Sequence, residues 1–212
     1  MRGLLAGLPE ESYWKGGCLM KDVRNVVLCG VGGQGTILAS RILSYALIEA
    51  GYDVKMSEIH GMSQRGGSVT TQVRYGDKVY SPIIGRGSAD VLVSFEKMEA
   101  LRYLSDLKVS GGVCIINDYA IQSLPTLQGM AKYPYDCIDR VKALVEDTRV
   151  VRATEIAEGL GNGKAANVVL LGATVAALGL TDLDWDAALT ECVKPRFLDL
   201  NREAFKAGLA VK

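Results

Sequence analysis

The sequence predicts an α/β domain of three layers, with helices on both faces of a mixed sheet, and three observations carry that reading. An apolar run, Val26-Val27-Leu28-Cys29, ends in the glycine cluster Gly30-Val31-Gly32-Gly33-Gln34-Gly35 and is followed by a helix-spaced stretch. Apolar runs recur at 89–95 and 113–116, with helical spacing after the first of them. Ahead of them, residues 68–84 are rich in β-formers and carry a Gly-X turn, which inserts an antiparallel hairpin among parallel strands.

Taken in order, residues 26–29 read as a buried parallel strand, because a strand covered on both faces is apolar throughout rather than alternating. Ile37, Leu38, Ile42, Leu43, Ala46 and Leu47 then fall at helical spacing over 36–50, and Gly51 supplies the stop. Val54 to Ile59 reads as a second strand. Strand, glycine turn, helix and strand make a βαβ unit, with a right-handed crossover expected. Val69, Thr71, Val73 and Tyr75 alternate, Gly76-Asp77 follows, and 78–84 is again β-rich, so the two arms of a type II′ hairpin are expected at 68–75 and 78–84. Residues 89–95 are the next strand, and 96–104 a helix with acidic residues in its first turn, where the helix dipole favours them. A strand over 113–116 leads into an irregular stretch, 119–135, containing Pro125 and Pro134. A helix near 138–144 and a short last strand at 149–151 precede a helical C-terminal third. Its helices are expected from 154, over 166–178, 184–191 and 197–207, with Asp184 an N-cap and Pro195 separating the last two.

The composition narrows the class. The 212 residues are 49% hydrophobic and 23% charged, as in an ordinary globular protein rather than a disordered one. Lys+Arg and Asp+Glu are both 24, so the formal charge is zero. That balance gives no general affinity for nucleic acid or an anionic membrane, and it suits a subunit that lives in a complex. No window reaches the roughly 20 apolar residues of a membrane span. The cysteines Cys18, Cys29, Cys114, Cys137 and Cys192 are scattered, with no CxxC. They read as reduced cytoplasmic thiols rather than cluster ligands. Residues 1–19 lack periodicity. Met20 stands just before the first strand, and Lys15-Gly16-Gly17 is encodable by a purine-rich run of the ribosome-binding kind. We expect Met20 to be the natural start and 1–19 a non-native extension.

Four segments carry candidate chemistry. Gly30, Gly32, Gly33 and Gly35, with Gln34, match G-x-G-x-x-G after a strand and before a helix. Such a turn brings a phosphate to the helix N-terminus, or else only packs strand against helix. Glu58 stands about 20 residues on, where a dinucleotide site wants an acid, or it pairs with Arg65. Around it runs Ser57-Glu58-Ile59-His60-Gly61-Met62-Ser63-Gln64-Arg65-Gly66-Gly67, which holds the only histidine in the chain. Placed at a strand's C-terminal end, it reads either as an anion- or partner-binding loop or as a solvated one. Arg86, between Gly85 and Gly87, either lines the same cleft or sits in a solvated turn. Asn162-Gly163-Lys164-Ala165-Ala166-Asn167 opens a helix of small residues suited to close contact, in the core or with a partner. One histidine excludes a defensible Ser–His–Asp triad. No metal spacing occurs, so no tightly bound cofactor is expected on this chain.

Together, residues 28–36 and 57–68 resemble the gamma domain of 2-oxoacid:ferredoxin oxidoreductases. The His-Gly-Met-Ser-Gln-Arg-Gly-Gly form is similar to that of the indolepyruvate branch. The 89–93 strand and the helix start at Asn167 fit too, and the resemblance covers roughly residues 22–205. It implies one gamma-type domain over 20–212. It also implies oxidative decarboxylation of an aryl-2-oxoacid with coenzyme A and ferredoxin. Thiamine diphosphate, Mg²⁺ and [4Fe–4S] clusters would reside on a large alpha subunit. For this chain we expect glycine loops that pack against that subunit and help form the coenzyme A or substrate channel, with Arg65, and Arg86 second, as phosphate partners beside Gly66 and Gly67, supported by Glu58, His60, Ser63, Gln64 and Asn167. A stand-alone NAD(P)- or flavin-binding oxidoreductase and a pure scaffold remain the alternatives.

Overall fold

The computed structural model describes residues 22–60 and 66–211, the side chain of His60 excepted. The expectation for 1–19 lies outside these residues. In chain order the elements are β1 (Arg24–Val31), α1 (Thr36–Glu49), β2 (Asp53–His60), β3 (Ser68–Gly76), β4 (Val91–Ser94), α2 (Lys97–Tyr103), β5 (Val113–Asn117), α3 (Leu124–Leu127), α4 (Cys137–Lys142), β6 (Asp147–Val151), α5 (Ala153–Gly159), α6 (Ala166–Leu178), α7 (Trp185–Cys192) and α8 (Leu198–Leu209). They build one mixed sheet of order β2-β3-β1-β4-β5-β6. β1, β4, β5 and β6 are parallel, and β3 is antiparallel to both of its neighbours, β1 and β2.

The α/β class and the mixed sheet are as the sequence predicts. The hairpin is inserted, but its second arm is β2, not residues 78–84, which form no strand. Pro82 has no N–H to give to a ladder. The stretch is tied down by side chains instead. The Val79 N–H donates to the Asp53 carboxylate at 2.9 Å, Arg74 donates to the carbonyls of Ser81 and Ile83 at 2.9 and 3.1 Å, and the Ile84 N–H donates to Gln72 at 2.8 Å. Nor is β1–α1–β2 a pair of adjacent parallel strands: β1 and β2 point the same way, but β3 lies between them.

The continuous apolar run of β1 has a simple cause. Val26 and Leu28 face a cluster with Ile42 and Leu47 of α1, Leu170 of α6, and Trp185 and Phe205 of α7 and α8. Val27 and Cys29 face the opposite cluster, with Ala100 of α2 and Val141 of α4. Each such side chain contributes about 1.5–3 kcal/mol by leaving water. The helix of small residues belongs to the core. α6 packs on α8 so closely that a Cβ on Gly208 would stand 2.0 Å from the Val169 carbonyl oxygen. Asp184 caps α7 by accepting the Ala187 N–H at 2.9 Å, and Pro195 opens a short 3-10 turn before α8.

Candidate functional site: a glycine-walled cleft

Two glycine turns that stand far apart in sequence meet at one end of the sheet. Beyond the last β1–β3 pair, Val31 with Ser68, the ladder continues in main-chain bonds: Gly32 N–H donates to the Gly67 carbonyl at 2.8 Å, and Gly66 N–H donates back to the Gly32 carbonyl at 3.3 Å. Gln34 holds the first turn from inside. Its oxygen accepts the Val31 N–H at 2.7 Å and its amide donates to the Phe95 carbonyl at the end of β4, at 2.8 Å. Gly35 caps α1 with φ +83°, a conformation that glycine takes freely. Asn167, nearly buried, donates to the Gly35 carbonyl at 3.2 Å and accepts the Val168 N–H at 2.9 Å, clamping the starts of α1 and α6 together.

A cleft of about 490 Å³ opens beside this clamp, at the C-terminal ends of the parallel strands. Gly33, Gln34 and Gly35 line one side, Phe95 and Asn117 the strand ends, and Asn162, Gly163 and Lys164 the other side. Open α/β sheets place ligands at such a crevice. Two helical starts meet there, α1 and the 3-10 turn Gly163–Ala165 that leads into α6. The Asn162 side chain fixes the second by accepting the Lys164 N–H at 3.0 Å. Lys164 and Glu158 are the charged residues of the lining. Helical starts and a lysine can meet an anion, and Glu158 sets one carboxylate against that lysine in the same lining.

The rim is held by a carboxylate that sequence reading missed. Glu96 is 0% exposed. One oxygen accepts the N–H groups of Met98 and Glu99 at 2.7 and 3.0 Å, capping α2. The other accepts the Ile121 N–H at 3.1 Å and the Tyr133 hydroxyl. Burial and the Glu96 carboxylate together push the Tyr133 hydroxyl well above its ordinary pKa, so it stays a donor. Glu96 thereby anchors 121–133, and Tyr119, just before, lines the cleft. Beside the second glycine turn, the buried Glu99 accepts from the Ser68 hydroxyl and from Arg102 Nε at 3.0 Å. Burial raises the Cys29 thiol and pushes Cys114 up to about 12, so neither is a thiolate near neutral pH. Among the described residues there is no group of three or more His, Cys, Asp and Glu that could hold a metal ion.

The structure sorts the sequence candidates. Gly30, Gly32, Gly33, Gln34, Gly35, Gly66, Gly67 and Asn167 come together. Ser63, Gln64 and Arg65 lie outside the described residues, and of His60 only its backbone pairing with Val69 is described. Glu58, on β2, is two strands from β1, roughly 10 Å across the sheet, because β3 intervenes. It therefore does not hold the place of a dinucleotide-binding acid. Arg86 is a correction. It lies in the turn entering β4, where Ser88 bonds Asn25 at the start of β1, so it belongs to the opposite end of the strands and cannot line the cleft. Asn162 and Lys164 do line it, although the sequence marked their segment for its small residues rather than its charge.

Fold and site define an α/β domain with a glycine-walled cleft at the strand ends. The chain belongs to the pyruvate ferredoxin/flavodoxin oxidoreductase family, which residues 25–211 match. It is 39% identical over 192 residues to the indolepyruvate oxidoreductase subunit IorB of Thermococcus kodakarensis, spanning 87% of this chain and 94% of that one. It is 38% identical over 190 residues to the subunit of the same name from Archaeoglobus fulgidus, spanning 87% and 92%. Among solved structures, the gamma subunit of a keto/oxoacid ferredoxin oxidoreductase from Geobacter sulfurreducens superposes with a TM-score of 0.66 at 27% identity, over 88% of this chain and 94% of that one.

Proposed function

We propose that this chain is the small subunit of an indolepyruvate-type 2-oxoacid:ferredoxin oxidoreductase. It supports oxidative decarboxylation of aryl-2-oxoacids, indolepyruvate and phenylpyruvate, to aryl-acetyl-CoA, with electrons passed to ferredoxin. The partner is a large alpha subunit that carries thiamine diphosphate, Mg²⁺ and the [4Fe–4S] clusters. This chain supplies walls and charges, not the reacting centre. The observation that carries the reading is the main-chain bridge between Gly32 and Gly66–Gly67, which puts both family glycine turns at one mouth beside the Lys164 cleft. In this reading the N–H groups near Gly33 and the cation of Lys164 receive a coenzyme A phosphate, and Arg65 adds a bidentate contact.

In the reconstituted two-subunit enzyme, Arg65→Ala raises the KM for coenzyme A about tenfold, as the loss of one charge-assisted pair does. An unchanged KM with impaired subunit assembly would instead support a pure scaffold. Tight equilibrium binding of NAD(P)H or a flavin by the isolated chain would favour the stand-alone oxidoreductase, which the separation of Glu58 from β1 speaks against.

A further inference from the structure

One rim of the cleft leads into a loop that folds back on itself. From Tyr119, which lines the cleft and whose carbonyl accepts the Lys97 N–H at 3.0 Å, the chain runs out to α3 and returns to Tyr135. One oxygen of the buried Glu96 holds both legs of the loop, through the Ile121 N–H at 3.1 Å and the Tyr133 hydroxyl. The Gln122 amide donates to the Tyr135 hydroxyl at 3.0 Å and closes the base a second time. At the tip, the Met130 and Ala131 N–H groups donate to the Pro125 carbonyl at 2.9 and 3.2 Å. Compact surface loops with tied ends are frequently functional.

What this loop presents to solvent is apolar. Leu124 and Leu127 stand one turn apart on α3 and are each 66% exposed, and Met130 and Tyr135 are 71% and 67% exposed. Residues 119–135 carry one charged side chain, Lys132. Exposed apolar side chains gathered with so little charge mark a surface made to be covered. The same scarcity of charge gives no electrostatic steering, so it suits a lasting partner rather than a carrier that docks briefly. Position names that partner. The cleft has no reacting centre of its own in the reading above, so the polypeptide that brings one to its mouth must meet the rim.

We infer that the loop 121–135 is the docking element for the large subunit, with Leu124, Leu127 and Met130 entering an apolar recess of that subunit and Glu96 as the latch that sets the loop's shape beforehand. The inference rests on the two-subunit reading above and adds the surface by which the subunits meet. Glu96 stands two residues beyond β4, so a subunit seated on the latched loop is held in register with the strand ends that line the cleft.

The test titrates the full chain and its variants into the large subunit and reads the dissociation constant by sedimentation. Leu124→Asp with Leu127→Asp, at exposed positions that spare the fold, is expected to weaken assembly by about thirtyfold or more, as the loss of central interface anchors does. Tyr133→Phe removes one leg of the latch while keeping the ring, and is expected to weaken it by about threefold. Leu144→Asp is the control: it is 70% exposed, precedes β6 at the other end of the strands, and is expected to leave assembly unchanged. If the double variant binds the large subunit as the unmodified chain does, or if Leu144→Asp weakens binding as much, the docking loop is overturned while the two-subunit reading stands. If the double variant instead takes apart a dimer of this chain and keeps its affinity for the large subunit, the loop belongs to a second copy and the inference is overturned. If the unmodified chain does not bind the large subunit at all, the two-subunit reading itself is overturned.

Discussion

The two ends of the parallel strands are built in opposite ways. At the N-terminal end, charged side chains do the joining. Asp90, 8% exposed, accepts the Asn25 N–H at 2.8 Å and Lys108 at 2.6 Å, with Arg24 at 3.4 Å, while Arg74 donates to the Asn25 side chain at 2.8 Å. At the C-terminal end, glycines and main-chain amides do it, with Gln34 and Asn167 as the side-chain braces. At β1 and β4 the first end ties its charges to one another. The second keeps main-chain donors beside a cleft lined by glycines, so the same sheet is joined by charge at one end and by backbone at the other.

Substitutions break this contrast in graded steps. Gly35→Ala should do most damage, because a Cβ there would stand 2.4 Å from the Asn167 amide on a backbone at φ +83°. Strain and the displaced clamp together cost about 3 kcal/mol, read as a lowered urea midpoint, and the KM for coenzyme A rises with it. Asp90→Asn should cost about 2 kcal/mol, less than a fully buried pair would, because Lys108 and Arg24 are partly solvated. Its KM should not move, and a change there would erase the division between the two ends. Gly33→Ala sharpens the contrast. Nothing lies within 4 Å of the added methyl, so stability falls only by the cost of φ +101°, about 1 kcal/mol, while ligand approach is obstructed and the KM rises. Arg86→Ala should change stability by less than about 0.5 kcal/mol and the KM not at all. A rise in KM comparable to that of Arg65→Ala would return Arg86 to the cleft.

Local pattern decided what the sequence disclosed. β1, β4 and β5 were legible because strands buried on both faces are apolar at every position, and the glycine cluster marks where β1 ends. The partner of β3 was not legible, because pairing is non-local. Residues 78–84 offer β-formers as good as those of β2, and only Pro82 hinted against them. Glu96 was read as one of the acids that favour a helix's first turn. Its burial follows from Tyr133 and Ile121 folding back over it, which no short window of sequence contains. Asn167 was found through the family pattern, but its bond to Gly35, 132 positions away, belongs to the tertiary structure.

The join between Gly32 and Gly66–Gly67 has one more property. Because both of its hydrogen bonds run backbone to backbone, no change of side chain can delete a donor or acceptor from it except a proline at 32 or 66. The bonds of the seam thus depend on chain path, and residue identity enters through backbone conformation instead, since Gly66 sits at φ +83°.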